Sequence, residues 1–306
     1  MVRTPSTKPA TRKSAASAKV GTTVTKDNLK ALGADRLADL LVELSEQDAV
    51  LTRKLRMALT ATHAKDKLGK EIEKRLRTIQ RSRGFLPWDR IKPLTTELDA
   101  LRQSILNDVA TTDVGQAISA MRLLVELAPS VYERSDDSSG YLSDVFREAA
   151  SDLGSLWGRQ AGRDPAVTVR DMLTLLDNDG YGTCDRLLVS CGEALGKPGA
   201  AILRSTLLAR LHDLPASNAK GDYRTDFARM QTLGHLKDLA DAIGDVDAYI
   251  EAVNLSERQS SSIGDVARRL LDKERAREAL EWLDRETEET PRFRWENDDL
   301  RIEACE

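Results

Sequence analysis

The sequence has few of the residues that build sheets, disulfides or metal sites. Aromatic residues occupy only 4% of its 306 positions, whereas Leu and Ala are frequent. That composition favours closely packed helices, because sheets are enriched in branched and aromatic side chains. The three cysteines, Cys184, Cys191 and Cys305, are odd in number and lack CxxC spacing, which argues against a disulfide framework or a thiolate metal site. We therefore expect an all-α protein from a reducing compartment.

Long hydrophobic runs are missing as well. No apolar run approaches the roughly 18 residues that cross a bilayer, and no signal-peptide core follows the N-terminal charges. We therefore expect a cytoplasmic protein that does not enter a membrane. The apolar residues, 41% of the total, are enough to bury a sizeable core in one or two domains.

The common signatures of catalysis are also absent from the sequence. It has no HExxH, GxSxG or GxxxxGKS/T motif and no GxGxxG loop. The three histidines, His63, His212 and His235, lie far apart in helical patterns, which is typical of helix surface residues. Paired acids carry little weight, because 31% charged residues make such pairs inevitable. The sequence favours a protein that is not an enzyme, and it predicts no cofactor.

The sequence does have a succession of amphipathic helical stripes from Asp27 onward. The clearest example is residues 262–285, where the polar residues 272–275 separate a stripe that ends at Leu271 from one that ends at Leu283. Neither helix can bury its stripe alone, so each hairpin must stack on a neighbour. Units of this design build arrays that hold other proteins. The predicted fold is a right-handed α-solenoid-like array of antiparallel helical hairpins.

Three aspartates mark predicted helix starts. Asp27 and Asp113 each precede an apolar stripe, and Asp164 precedes a proline at the first helical position. A short side-chain acceptor at this position satisfies a backbone N–H of the first turn, and proline is compatible with that turn. We expect each aspartate to cap a helix.

Composition divides the chain into three parts. Residues 1–26 contain six cations, no acid and hardly any large apolar side chain, so we expect a disordered basic tail. A loop at 213–222, rich in turn-forming residues, separates a predicted N-terminal helical domain, residues 27–212, from a C-terminal tetratricopeptide-like section, residues 222–306. The C-terminal section could be truncated, because its last apolar pattern stops before completing two helical turns.

Two acidic turns interrupt the middle of the chain. The first begins with Asp136 and Asp137; the second contains Asp177 and Asp179 at positions 1 and 3 of a partial match to a calcium loop. Leu188 stands at position 12, where the bidentate Glu of such a loop is expected, so the sequence favours structural corners capped by Asp and Asn. An enzyme using these four acids remains a weaker hypothesis, and it requires them to converge in one cleft.

A basic segment offers a second functional hypothesis. Residues 65–83 contain eight cations and three acids. The candidate basic face is formed by Lys70, Lys74, Arg77 and Arg81. Such a face usually has no role beyond contact with solvent. Together with the basic tail, however, it supports the hypothesis of a nucleic-acid-associated regulator.

The preferred hypothesis is a non-catalytic helical scaffold that binds another protein. The last complete hairpin has no obvious capping element after it, so we expect an apolar surface there that associates with a partner protein or with a second copy of the chain. The residues of this possible interaction surface are Leu280, Leu283, Trp295, Leu300 and Ile302.

Five segments of the chain together resemble an uncharacterised bacterial all-helical family, a domain of unknown function. They are LGADRLADLLVEL (32–44), EIEKRLRTIQRSRGFLPW (71–88), YERSDDSSGYLSDVFREAASDLG (132–154), LDNDGYGTCDRLL (176–188) and ARRLLDKERAREALEWLD (267–284). The resemblance implies an all-helical protein without assigned activity, catalytic residues or cofactor. The last segment is also similar to the helix junction of tetratricopeptide repeats, which implies architecture only.

Overall fold

The chain is helical throughout the part that the structure describes. The structure is a computed structural model that describes residues 22–63, 65–138, 140–215, 223–256, 259–285 and 294–305. Over these ranges there is no strand, only an isolated bridge between Leu86 and Ser135. The all-α prediction is therefore confirmed. Residues 1–21 of the predicted tail lie outside the described residues.

Seventeen α-helices are described, and several are short. They are α1 (Lys26–Lys30), α2 (Ala34–Gln47), α3 (Ala49–His63), α4 (Lys65–Arg81), α5 (Trp88–Ser104), α6 (Ala110–Thr112), α7 (Val114–Glu126), α8 (Ala128–Tyr132), α9 (Tyr141–Arg159), α10 (Pro165–Asp177), α11 (Leu187–Ser190), α12 (Gly192–Asp213), α13 (Tyr223–Ile243), α14 (Val246–Asn254), α15 (Ile263–Leu271), α16 (Ala276–Leu283) and α17 (Arg294–Cys305). A π-helical turn, Ile105–Val109, joins α5 to α6, and a 3₁₀ turn, Gln259–Ser262, precedes α15. No described helix is both long and apolar enough to cross a membrane.

Capping explains where several of these helices begin. Asp113 accepts from the Gln116 amide at 2.9 Å, and Asp164 accepts from the Ala166 amide at 2.9 Å, so both predicted caps are confirmed. The first helix is capped two residues earlier than predicted: Thr25, and not Asp27, lies at its N-cap and accepts from the Asn28 amide. The Thr25 hydroxyl places Asp27 inside the first turn, where its charge still favours the helix N-terminus.

The chain divides into two compact units at a position that differs from the predicted boundary. One unit is Met1–Thr62 and the other, which we call the main unit, is His63–Glu306. The predicted loop at 213–222 lies inside the main unit, because α12 and α13 on its two sides pack against each other. Residues 216–222 of that loop lie outside the described residues. A turn-rich segment thus joins two helices of one unit and does not separate domains.

The first unit has no buried core of its own among its described residues. Its helices α1 and α2 contain no buried side chain, although α2 presents several leucines. Asp48 begins α3 by accepting from the Val50 amide at 2.7 Å and the Leu51 amide at 3.2 Å. The unit is therefore held by local helical bonds and half-buried leucines.

The core of the main unit surrounds α9. Every three or four residues α9 buries a large side chain, including Phe146, Leu153 and Trp157. Helices α5, α7, α11 and α12 pack around it. Helix α4 adds its apolar stripe by packing on α7. Burial of these stripes at about 25 cal/mol per Å² is the main stabilising term of the fold.

Helices α12 to α17 follow a different plan, in which each helix packs on the next one in the chain. Helix α17 also packs on α15, so it covers the hairpin made by α15 and α16. Leu270, Leu283 and Leu300 meet in one core cluster as a result. The chain therefore supplies its own cover for this hairpin, contrary to the open face that the sequence predicts.

Candidate functional site

The two acidic turns lie side by side against the first half of α9. The ring of Tyr132, which precedes the first turn, packs on the ring of Tyr181 in the second turn, with centroids 4.9 Å apart. The ring of Phe146 on α9 contacts Tyr132 edge to face at 5.5 Å. Arg147 on α9 donates to the carbonyl oxygen of Gly182 at 3.3 Å. These contacts make the two turns one polar corner of the main unit.

The carboxylates of the second turn hold the protein's own groups. Asp179 accepts three backbone N–H bonds, from Tyr181, Thr183 and Cys184, at 3.2, 3.0 and 2.6 Å. Asp177 forms a bidentate pair with Arg210 on α12 at 2.6 and 3.0 Å. Both carboxylates are therefore occupied by groups of the chain itself, and no group of His, Cys, Asp and Glu within the described ranges is arranged to hold a metal ion.

The first turn also uses its acid locally. The Asp137 carboxylate accepts from the Ser143 amide at 3.1 Å and so caps α9. Asp136 is exposed. The four acids proposed for a catalytic cleft therefore have separate roles. Asp137 caps a helix, Asp179 holds the backbone of its own turn, Asp177 pairs with an arginine and Asp136 is solvated.

The nucleophilic groups near this corner are suppressed by burial. Burial raises the pKa of the Cys184 thiol, and the neighbouring Asp179 raises it further. Burial likewise raises the pKa of Cys191. The pKa of His235 is lowered by burial and by Arg210. Neutral thiols and a neutral imidazole in these positions fit packing better than nucleophilic chemistry. The side chain of His63 lies outside the described residues.

A cluster of titratable side chains surrounds the two aspartates of α13, Asp238 and Asp241, and no sequence motif indicates it. Arg269 on α15 forms a bidentate pair with Asp241 at 2.6 Å and stacks on the Tyr249 ring at 3.9 Å. Burial, together with Asp241 and Asp185, raises the pKa of Asp238 to about 6. Sequence reasoning missed this cluster because its members lie on four helices or turns that only the fold brings together.

The predicted basic face is a continuous stripe on α4. The stripe residues, which we call the α4 stripe, are Lys67, Lys70, Lys74, Arg77 and Arg81. All five are exposed, and none has an ion-pair partner in the described part of the chain. Arg75 lies off the stripe and forms a bidentate pair with Glu97 at 2.6 and 2.8 Å. The structure thus separates one structural cation of α4 from five solvated ones.

Two exposed aromatic side chains follow the α4 stripe, Phe85 in the linker to α5 and Trp88 at the first residue of α5. Phe85 is 69% exposed and Trp88 is 79% exposed. The linker is held in place by Arg134: the Leu86 amide donates to the Arg134 carbonyl oxygen at 2.7 Å, and the Arg134 guanidinium donates to the Gly84 carbonyl oxygen at 3.1 Å. Phe85 is therefore carried by a fastened linker, and Trp88 by the first turn of α5. We call Phe85 and Trp88 the aromatic pair.

A wide groove runs along the first half of α13 and reaches the end of α14. Its volume is about 620 Å³. The residues that line this α13 groove include Tyr223, Phe227, Met230, Leu233, Gly234, Lys237 and Leu255. Tyr223 is 79% exposed and its ring stacks on that of Phe227 with centroids 6.4 Å apart. This concentration of open apolar surface was not predicted, because the sequence pattern places Phe227 and Met230 on a buried stripe.

The predicted C-terminal surface is largely closed in the structure. Leu283 and Leu300 are buried, Leu280 is half-buried, and only Ile302 is well exposed, at 62%. The side chain of Trp295 lies outside the described residues. The expectation of an open apolar face here is corrected, because α17 packs on both α15 and α16.

The described residues thus define an all-helical protein in which Asp137, Asp177 and Asp179 bond to groups of the chain itself and the Cys184 and Cys191 thiols are buried. Its open surfaces include a cationic stripe and an apolar groove. Residues 19–306 match the Family of unknown function (DUF6880). Because this match spans nearly the whole sequence, the chain belongs to that family. No curated protein and no solved structure matches the chain.

Proposed function

We propose that the protein is a non-catalytic helical scaffold that binds an amphipathic helix of a partner protein in the α13 groove. The single observation that carries this proposal is the groove itself, about 620 Å³ in volume and lined by Tyr223, Phe227 and Met230. Tyr, Phe and Met are enriched at protein interfaces because they contribute large contact areas. Open aromatic and methionine side chains that meet in one groove are typical of a binding surface.

The spacing of the groove residues supports a helical ligand. Tyr223, Phe227, Met230 and Gly234 follow one another at intervals of four, three and four residues, the spacing of a helix–helix seam. The space over Gly234 is open, since a Cβ atom added there would meet no atom within 4 Å. A knob from a partner helix fits beside such a position, with the larger side chains packing on either side of it.

The charges of the groove indicate the chemistry of the partner's flanks. The Arg229 guanidinium donates to the Leu211 carbonyl oxygen at 3.5 Å, and the Lys237 ammonium donates to the Ser262 hydroxyl at 3.0 Å. Arg229 and Lys237 thus supply two positive charges to the lining, and Asp226 supplies one negative charge. The groove therefore favours an apolar helix face with acidic neighbours.

We further propose that α12 to α17 form a right-handed α-solenoid-like array that includes a tetratricopeptide-like hairpin, α15 with α16. The serial packing of these helices supports this arrangement. An enzyme that uses Asp136, Asp137, Asp177 and Asp179 is less well supported, because three of these carboxylates are bonded to groups of the chain itself.

Selection from a displayed library of 16-residue peptides, patterned as amphipathic helices and offered to the full chain, tests the proposal. We expect enriched peptides with apolar residues at helical spacing and acidic flanks. Their affinity should fall at least tenfold on a Met230→Asp chain. It should be unchanged on an Ile202→Asp chain, because Ile202 is an exposed residue of α12 that does not line the groove. Equal affinity for both variants, or no enriched peptide, would contradict the proposal.

A further inference from the structure

We infer that α4, the linker after it and the start of α5 bind single-stranded nucleic acid, with the α4 stripe contacting the phosphates and the aromatic pair stacking on bases. This second binding surface is separate in residues and in chemistry from the α13 groove. It is carried by two independent observations, the unpaired cations of the stripe and the exposure of Phe85 and Trp88.

The geometry of the α4 stripe suits an extended polyanion. Its five cations are spaced by three, four, three and four residues, which places them within an arc of about 80° on a helix with 3.6 residues per turn. The buried residues of the same helix, Leu68, Ile72, Leu76 and Ile79, lie on the opposite side. From Lys67 to Arg81 the stripe extends about 21 Å, the length of roughly six stacked nucleotides at 3.4 Å each.

The positive charge of the stripe is not neutralised by the rest of the described chain. Elsewhere in the main unit, arginines are engaged by acids: Arg102 with Asp152 at 2.6 Å, and Arg163 with Asp171 at 2.6 Å. No cation of the stripe forms an ion pair with a described residue. A linear group of unpaired cations produces a field that attracts phosphates and releases their counterions on binding.

The aromatic pair distinguishes a single strand from other polyanions. Tryptophan is a highly buried residue type on average, yet Trp88 is 79% exposed and lies seven residues after the end of the stripe. Aromatic side chains beside a basic track stack on the unpaired bases of single strands. The bases of a duplex are already stacked on each other, so a duplex offers these rings no comparable contact.

The hydrogen bonds of the linker fix the backbone that carries Phe85 before any ligand binds. The Leu86 amide is bonded to Arg134, and Leu86 is half-buried while its neighbours on both sides are exposed. In an extended segment successive side chains point to opposite sides, so the inward position of Leu86 directs Phe85 outward. A backbone that is already held in place loses little conformational freedom when a base stacks on the side chain that it carries.

The stripe itself argues against an anionic membrane as the ligand. Its face contains cations, flanked by Glu71, Glu73 and Thr78, and no large apolar side chain. Helices that bind membrane interfaces carry an apolar face for insertion, whereas the apolar face of α4 is buried against α7. An acidic polypeptide would use the cations and would leave the aromatic pair unused.

Fluorescence anisotropy with the full chain and labelled (dT)20 or (rU)20 at 50 mM salt tests the inference. We expect both strands to bind, and their relative affinity shows whether DNA or RNA is preferred. A variant with Lys70, Lys74, Arg77 and Arg81 changed to Gln should lose at least tenfold in affinity. The control variant carries the same number of Lys→Gln and Arg→Gln changes at exposed cations of other elements, Arg36, Arg170, Lys197 and Lys273, and should lose less than threefold.

The aromatic contribution is tested with Trp88 alone. Trp88→Ala should weaken binding of (dT)20 by about 5- to 150-fold, the range expected for one base stack, whereas Trp88→Tyr should retain most of the affinity. In a Trp295→Phe background, tryptophan fluorescence should be quenched when (dT)20 binds. Most of this quenching should vanish when Trp88→Tyr is added, because the remaining Trp157 and Trp282 are buried.

Three results would overturn the inference. One is equal loss of affinity in the stripe variant and the charge-matched control. Another is binding of a 20-base-pair duplex, polyglutamate or phosphatidylserine vesicles as tightly as (dT)20, with no effect of Trp88→Ala on any of them. The third is no detectable binding of either single strand while circular dichroism shows the chain to be helical.

Discussion

Helices α4 and α13 each leave one face open to solvent, and the two faces share a geometry but not a chemistry. The stripe on α4 runs from Lys67 to Arg81, and the groove side of α13 runs from Tyr223 to Lys237. Both cover 14 residue steps at alternating intervals of three and four. One face carries five cations, whereas the other carries two aromatic rings, a methionine, a glycine and a single lysine. The two exposed faces therefore have the same residue spacing, and they differ in the side chains that would select a ligand.

The inward faces of the two helices differ as well. The inward face of α4 consists of apolar residues, with Ile72 and Leu76 fully buried. Helix α13 buries Leu236 and Leu239 but also presents Asp238 and Asp241 to Arg269. Helix α4 is held by apolar packing and by the single Arg75–Glu97 pair, whereas α13 places several charged groups on its inward face. The comparison predicts that the two helices respond differently to truncation, salt and pH.

The largest expected difference is between the two faces of α4. Ile72→Ala removes a fully buried side chain and should lower the free energy of unfolding by about 2–5 kcal/mol. Lys74→Ala, two residues away on the exposed stripe, should change it by less than about 0.5 kcal/mol. Urea unfolding followed by circular dichroism measures both values. A similar loss in both variants would mean that the stripe contributes to the fold and is not an open surface.

Salt should separate the two binding surfaces. With about five phosphate contacts on a single strand, affinity for (dT)20 should fall roughly 100-fold between 50 and 200 mM salt. Binding of an amphipathic peptide in the α13 groove depends mainly on apolar contact and should change by less than about threefold. Titrations of each ligand at the two salt concentrations test this contrast. Parallel salt dependence would indicate that both ligands use the same charges.

The pH dependence of stability tests the inward face of α13. Because the pKa of Asp238 is raised to about 6 in the folded chain, the stabilising contribution of its protonated form is complete below the unfolded pKa of about 4 and is lost as the pH rises through 6. Asn does not titrate. Asp238→Asn should therefore match the wild type near pH 4 and exceed its unfolding free energy by about 1–3 kcal/mol at pH 8. A difference that shrinks with rising pH would contradict the assignment.

The smallest effect is expected at Gly234. Ala is the better helix former by about 1 kcal/mol, and the added Cβ meets no atom within 4 Å, so Gly234→Ala should raise the free energy of unfolding by about 0.5–1 kcal/mol. The same methyl group occupies the open position beside which a partner helix would pack, so peptide affinity should fall. A thermal melt measures the change in stability, and a peptide titration measures the change in affinity. Greater stability with unchanged peptide affinity would mean that the peptide does not bind beside Gly234.

The sequence is informative where burial depends on local pattern. The apolar residues of α4, the opposing cations and the caps at Asp113 and Asp164 all follow from helical spacing and side-chain preference, and the structure places them as expected. The pattern is less informative where burial depends on distant elements. Phe227 and Met230 continue the apolar stripe of α13, but the neighbouring helices cover only the second half of that stripe, so both residues stay exposed.

The candidate site shows the same limit. The two acidic turns are evident in the sequence, but their side-by-side position depends on the Tyr132–Tyr181 contact between residues nearly 50 positions apart. The arginine partner of Asp177 lies on α12, 33 positions away, and the cover for Leu283 is provided by α17. Such long-range pairings have no local signature, so the sequence could name the acids but not their roles.

The central claim is that the protein has two open helical faces, each selective for its own class of ligand. The most direct measurement is the affinity of the wild type, the four-site α4 stripe variant and Met230→Asp for both (dT)20 and a selected amphipathic peptide. We expect the stripe variant to lose (dT)20 binding alone and Met230→Asp to lose peptide binding alone. Loss of both ligands in either variant, or of neither ligand in both variants, would contradict the claim.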